Sequence, residues 1–246
     1  MEHTFQNYKS FVIDDVLDKE DFLEVNRVLT NADAGWFWGF PPIATSPIIS
    51  DDEIKKFKEL KDIDDSKPTN QDSPIAAGPL MINDNQYKQY TWNTYHVLLK
   101  DIIWKVKPKF DKLVRDNFGE GLDVYTIHAT GKTSGQCGGI HRDSFENVRN
   151  FAVIYFPHID WKPEWAGTTD VYDDNFEIID SVLPYPNRAF GFDGTYYHGG
   201  SAPALSCPLL RIGIIFKYAD EKYANLEREK TIKMLKEGGI SGGYSE

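Results

Sequence analysis

The chain has 246 residues, and its 27 Lys and Arg against 38 Asp and Glu give a formal net charge of −11. Hydrophobic residues make up 41% and charged residues 26%, the balance of a soluble globular protein long enough to bury a core without disulfide staples. The acidity argues against nucleic-acid or anionic-membrane partners, no apolar run is long enough for a spanning helix, and Cys137 and Cys207 alone make neither a disulfide scaffold nor a four-cysteine zinc site.

In chain order, the opening MEHTFQNYKSFVIDDVL lacks the basic-then-apolar order of a secretory signal, so a cytoplasmic protein is expected. Phe11-Val12-Ile13 reads as a short strand. Asp18 then opens a helix in which Phe22, Val25, Val28 and Leu29 recur at helical spacing, with Asp21 three residues after the cap. Trp36, Trp38 and Phe40 lead into Pro41-Pro42, which ends regular structure. Ser50 caps a polar helix running to Lys61, and residues 62–75 form a polar, Pro-containing loop. These aromatics and this loop are candidates for core packing or for a lid. The stretch 87–118 predicts helix, divided in two at Pro108.

After Gly119 and Gly121 the texture changes. Short strands are expected at 122–129, 151–156, 168–172, 176–180, 188–192 and 210–218, separated by turn signals such as Asp173-Asp174-Asn175 and Pro184-Tyr185-Pro186-Asn187. That punctuation predicts an antiparallel sandwich or jelly roll. Residues 222–236 read as a charged surface helix and 238–246 as a flexible tail. The expectation is one α+β domain over 1–246: a helical support layer over 1–120, a mainly β core over 121–218, and a C-terminal helix and tail over 219–246.

Two His-X-Asp triplets stand out among six histidines, His141-Arg142-Asp143 and His158-Ile159-Asp160. In an extended chain residues i and i+2 point to one side, so either triplet could turn an imidazole and a carboxylate toward one ion. Pro157 before and Trp161-Lys162-Pro163 after give the second triplet the profile of a strand-exit loop with a structural role. Glycines 131, 135, 138 and 139 precede the first; they suit either close backbone approach to a bound group or a flexible hairpin loop. His198, in Tyr196-Tyr197-His198-Gly199-Gly200, is a surface or core histidine or a third donor. Arg211 lies in Leu209-Leu210-Arg211-Ile212-Gly213-Ile214, a strand apolar on both faces. A guanidinium buried there calls for a carboxylate or phosphate, with an internal Asp or Glu as the structural alternative. Gly213, on the same face, leaves room beside it.

His141-X-Asp143, His198 57 positions later and Arg211 13 beyond that together resemble the Fe(II)/2-oxoglutarate-dependent oxygenases, particularly the prolyl 4-hydroxylase-like branch. Residues 165–172 resemble that family's Gly-Gly-X-Thr-X-Phe strand, and 184–192 its Pro-X-X-Gly-Arg-X-X-X-Phe turn and strand. The likeness spans about residues 121–218. Ala166 replaces the first glycine of the pair, and Gly131 and Lys132 stand where relatives often carry a cosubstrate-binding tyrosine. The resemblance implies a double-stranded β-helix (jelly roll, cupin-like) core with supporting N-terminal helices. It implies Fe(II) held by His141, Asp143 and His198, and 2-oxoglutarate held at its far carboxylate by Arg211. Tyr125 and His128 are the candidates for the second cosubstrate contact, O2 is the oxidant, and ascorbate is an optional auxiliary. The implied activity is hydroxylation of an unactivated C–H bond, on a prolyl or other protein or peptide side chain, with succinate and CO2 as coproducts. The same chemistry on a small metabolite, or a non-catalytic jelly-roll binding module, are the alternatives. No nucleic-acid or membrane partner is expected, and the oligomeric state is left open.

Overall fold

The computed structural model describes residues 8–31, 37–38, 95–97, 101–136, 139–143 and 148–236. The helix expected after Ser50, the 62–75 loop, Trp36, Phe40, Cys137 and the expected tail lie outside these residues, and Trp38 enters only through its backbone.

In chain order the elements are β1 (Ser10–Ile13), α1 (Lys19–Thr30), β2 (Phe37–Trp38), β3 (Tyr95–Val97), α2 (Asp101–Phe118), β4 (Leu122–Lys132), β5 (Asn150–Phe156), β6 (Thr169–Tyr172), β7 (Ile178–Val182), β8 (Arg188–Asp193), β9 (Tyr197–Gly200), β10 (Arg211–Asp220) and α3 (Glu221–Lys236). Strands β5 and β10 are apolar on both faces, so each face needs cover. They lie centrally in a seven-stranded antiparallel sheet ordered β1-β8-β5-β10-β4-β3-β2. One face is covered by α1 and α2, whose Val25, Leu29, Val106 and Phe110 pack with Val153, Tyr155, Ile214 and Phe216. The other face meets a three-stranded sheet ordered β7-β6-β9, with Phe156, Val171, Phe190 and Phe192 filling the space. Two facing antiparallel sheets with helices outside make an α+β jelly-roll core.

Local chemistry sets the entrance to this core. Asp18 caps α1, its carboxylate accepting from Asp21 N at 3.0 Å, which satisfies one otherwise orphaned helix N–H. Asp18 and Asp21 also accept from Lys109 and Lys105 of α2, each at 2.6 Å, which sets the two helices side by side. Asn187, in the left-handed region at φ 53, takes the turn before β8. Its buried amide accepts from Leu17 N at 3.0 Å and Tyr155 Oη at 2.9 Å, and donates to Leu17 O at 2.8 Å.

The structure corrects several expectations. Residues 87–118 are not a divided helix: Tyr95–Val97 pairs with β4 as a strand, and α2 runs unbroken through Pro108. A proline inside a free helix costs about 3 kcal/mol. Here Ile103, Val106, Phe110, Val114 and Phe118 form a buried stripe on both sides of Pro108, and each large apolar side chain buried returns about 1.5–3 kcal/mol. The first 120 residues supply strands as well as helices, since β1 pairs with β8 and β3 with β4. The strand expected at 176–180 begins at Ile178 because Asp173 Oδ1 accepts from Asn175 N and Glu177 N, each at 2.8 Å, and holds a turn there. Among the described residues no helix is long and apolar enough to cross a membrane.

Asn187→Ala should destabilise the fold by about 2–4 kcal/mol, because three buried hydrogen bonds are lost and two backbone groups are left dry. Urea unfolding read by far-UV circular dichroism checks this; an unchanged midpoint would remove the amide from its bridging role.

Candidate metal centre

His141 and His198 are brought together by backbone pairing. His141 N donates to His198 O at 3.0 Å and His198 N to His141 O at 2.8 Å, so the two residues oppose each other directly and their rings share a face. Asp143, two residues on, is tied by its N–H to Gly194 O at 2.8 Å, and its side chain is 0% exposed. Asp143 Oδ1 lies 3.6 Å from His141 Nε2 and 3.7 Å from His198 Nε2, and one donor atom of each residue falls within 4.8 Å of the others.

The second ring nitrogens fix the tautomers. His141 Nδ1 sits 2.9 Å from Gly139 O and His198 Nδ1 2.9 Å from Tyr196 O. A carbonyl only accepts, so each Nδ1 carries the proton and each Nε2 keeps a lone pair directed toward Asp143. Three electron-pair donors at this spacing repel unless a cation lies among them. Asp143 Oδ2 is buried without a hydrogen-bond partner among the described residues, a state costly for a carboxylate oxygen that no cation covers. Two imidazoles and one carboxylate form the donor set that leaves open positions on a non-haem divalent iron, so these residues fit such an ion.

Lys217 completes the surroundings. Its ammonium donates to Asp143 Oδ1 from the inner face of β10. Burial opposes ionisation of Asp143, but the Lys217 ammonium leads the influences that outweigh it and hold the carboxyl well below the usual carboxylate range. Burial, and His198 beside it, push His141 down, which keeps it in the neutral form that ligation requires.

Alternation along β10 carries Arg211 to the same face, with Gly213, Ile215 and Lys217, while Ile212, Ile214 and Phe216 face the helices. Arg211 is 3% exposed. Its Nε donates to Gly167 O, its Nη2 to Thr169 Oγ1 at 2.8 Å and to Thr168 O at 3.4 Å, and its guanidinium lies 5.4 Å from the Phe156 ring centroid. The internal ion pair held open as an alternative is not formed among the described residues. Asp170, the nearest influence, accepts from Ser181 and Ser201 hydroxyls instead. Burial brings Arg211 down to about 10, which leaves it charged at neutral pH. Gly167 (φ 76) explains its place: a Cβ there would meet Arg211 Cδ at 3.1 Å. The room expected at Gly213 is already taken, because a Cβ there would meet Ile154 Cγ2 at 3.2 Å on the neighbouring strand.

Of the remaining sequence candidates, the second triplet lies apart from the trio. His158 is buried away from the trio, its Nε2 accepting from Ile212 N at 3.2 Å, and Asp160 is exposed. Burial, then Arg211, lower His158 to about 3. Tyr125 is the extra residue at the bulge where β4 slips against β10, and its Oη accepts from Asn150 Nδ2 at 2.9 Å. His128 stands opposite Ile215, on the face of the sheet that also carries Arg211 and Lys217. Neither is opposite Arg211 in the ladder; Lys132 is. Cys207 is a half-buried free thiol. Lys217 escaped the sequence reading, although its even spacing from Arg211 on an extended segment was the available signal.

No protein-family model matches the chain, and no curated protein does. Solved structures do. A prolyl hydroxylase from Trichoplax adhaerens, in complex with a hypoxia inducible factor oxygen degradation domain peptide fragment, matches at TM-score 0.54 and 15% identity over 92% of this chain and 88% of its own. The non-heme alpha ketoglutarate dependent epimerase SnoN from nogalamycin biosynthesis matches at 0.51 and 13% over 88% and 79%. HygX from Streptomyces hygroscopicus, with nickel and 2-oxoglutarate bound, matches at 0.50 and 10% over 88% and 84%. This chain has the fold of the 2-oxoglutarate/Fe(II) oxygenases.

Within this oxygenase fold His158 makes stability depend on pH. It titrates at about 6.5 when unfolded and about 3 when folded, so the unfolded chain binds more protons between those values. Stability present above 6.5 is therefore lost as the pH falls toward 3, by up to about 1.4 kcal/mol per unit. His158→Gln should flatten that part of the slope, seen as urea midpoints at pH 4 and pH 7 that lie closer together than in the wild type. An unaltered slope would mean that the imidazole is not held neutral.

Proposed function

We propose that the protein is an Fe(II)- and 2-oxoglutarate-dependent dioxygenase that hydroxylates an unactivated C–H bond and releases succinate and CO2. One observation carries this reading: the inner faces of two sheets hold both a trio of metal-type donors and a buried guanidinium whose partners among the described residues are all uncharged. A metal site alone would not need Arg211, and a binding module would need neither.

In this reading His141, Asp143 and His198 hold the iron, and Arg211 takes the far carboxylate of 2-oxoglutarate by charge-assisted hydrogen bonds. When bound, iron and cosubstrate supply, with O2, the oxidising power for C–H hydroxylation, ascorbate serving as an auxiliary reductant. The chain's own residues position and exclude. The carbonyls of Gly139 and Tyr196 hold the two imidazoles in the ligating tautomer, and the Gly194 carbonyl fixes the Asp143 backbone. Phe190, Phe192 and Val171 keep water from the space between the sheets. Arg211 balances the charge that a dianionic cosubstrate brings beside a divalent ion and one carboxylate.

The likeness to a prolyl hydroxylase seen with a peptide supports a peptide or protein side chain as substrate. SnoN, assigned to nogalamycin biosynthesis, favours the second reading, the same chemistry on a small metabolite.

The test is succinate formation by purified protein given Fe(II), 2-oxoglutarate, ascorbate and air, with a panel of peptides and metabolites. His141→Ala and Asp143→Ala should lose iron binding and turnover together. Arg211→Ala should raise the 2-oxoglutarate concentration required at least tenfold while iron affinity stays unchanged. His158→Ala should keep its iron. Absence of succinate in every condition with iron bound would overturn the reading, and an unchanged 2-oxoglutarate requirement in Arg211→Ala would remove that residue from its role.

A further inference from the structure

The trio on the inner face of the small sheet has a counterpart on its outer face. His141 and His198 are paired across an isolated bridge, so one step along it Arg142 comes opposite Tyr197, with both side chains turned away from the trio. The Arg142 guanidinium lies 4.0 Å from the Tyr197 ring centroid, and its Nη2 donates to Asp174 Oδ1. Asp174 belongs to the turn that Asp173 holds between β6 and β7. From the same turn Phe176, in the left-handed region at φ 63, sets its ring 4.8 Å from that of Tyr197. Arg142 has two metal-type donors as its chain neighbours, His141 and Asp143, and Tyr197 has the third, His198. One cluster on the outside of the sheet is thus joined to all three.

Residues 139–143 belong to none of the ten strands and join the small sheet at a single-residue bridge. The affinity of a site for its ligand scales with the fraction of molecules already in the binding arrangement, so whatever fixes this segment against β9 acts on metal binding. We propose that Arg142 is a positioning residue of the metal centre. Clasped by Asp174 and stacked on Tyr197, it holds His141 and Asp143 in register with His198 from the far side of the sheet. The inference rests on the oxygenase reading and extends it to a surface that no ligand of the centre needs to touch. The β6–β7 turn thereby becomes part of the centre's construction, although neither Asp174 nor Phe176 supplies a donor.

The experiment is Mn(II) binding to the full chain, followed by electron paramagnetic resonance, with the visible spectrum of the Co(II)-loaded chain as a second readout. Arg142→Gln and Asp174→Asn should each weaken Mn(II) binding roughly fivefold, the size of one exposed ion pair or cation–ring contact. The two together should cost little more than Arg142→Gln alone, because both cut one clasp. Exchanging the pair, Arg142→Asp with Asp174→Arg, should recover most of the affinity that either half loses. The cobalt bands should shift in the single variants and return in the exchanged pair. Should Arg142→Gln fail to fold, Asp174→Asn carries the test, since it leaves the donor segment itself unaltered. Asp14→Asn is the control: Asp14 pairs with Arg188, at the opposite end of β8 from Gly194, and is comparably exposed. Cutting that pair should leave Mn(II) affinity unchanged. Unaltered affinity in both clasp variants, or an equal loss in Asp14→Asn, would overturn the role of Arg142. A wild type that binds neither Mn(II) nor Co(II) would instead overturn the metal centre and the oxygenase reading with it.

Discussion

An ionised side chain removed from water must be met by opposite charge or by oriented dipoles, and the space between the two sheets of this protein holds both solutions. At the Asp143 end charge answers charge: the Lys217 ammonium meets a fully buried carboxylate, with two neutral imidazoles beside it. At the Arg211 end, among the described residues, carbonyl and hydroxyl oxygens answer the guanidinium. The interior is therefore polarised along β10. An elongated dianion entering between the sheets meets a different environment at each tip, and that difference gives it a direction.

Sheet register builds this polarity. The period of two along β10 delivers Arg211 and Lys217 to one face while Ile212, Ile214 and Phe216 anchor the other against α1 and α2. Slipping β10 by one residue would bury three isoleucine and phenylalanine positions toward the polar interior and turn both cations into the helices. The helical layer is thus part of the site's construction. Its apolar face makes the correct register the only one that keeps Phe110 stacked on Phe216, with centroids 4.3 Å apart.

Much of this was legible in the residues, for identifiable reasons. Asp18 announced α1 because capping is local chemistry, and β5, β8 and β10 showed themselves as apolar runs between turn residues. His141 with Asp143 was readable because two-residue spacing survives in any extended backbone, and Arg211 because a charge in an apolar run demands explanation. What stayed hidden depends on distant pairing. Lys132 becomes a neighbour of Arg211 only through the β4–β10 ladder, and Ile154 closes on Gly213 only because β5 lies beside β10. Tyr95–Val97 carries too short a pattern to separate strand from helix, and its identity comes from the open edge of β4 that it covers. Pro108 misled because its local penalty was weighed without the sheet that α2 packs against.

The reciprocal backbone bonds between His141 and His198 have a consequence for the whole molecule. Between these residues the chain travels through β5, β6, β7 and β8 before returning. A cation gripped from both ends would clasp that excursion into a ring, much as a disulfide does, and lower the entropy of the unfolded chain that still holds it. Mechanical integrity and occupancy of the centre would then rise and fall together.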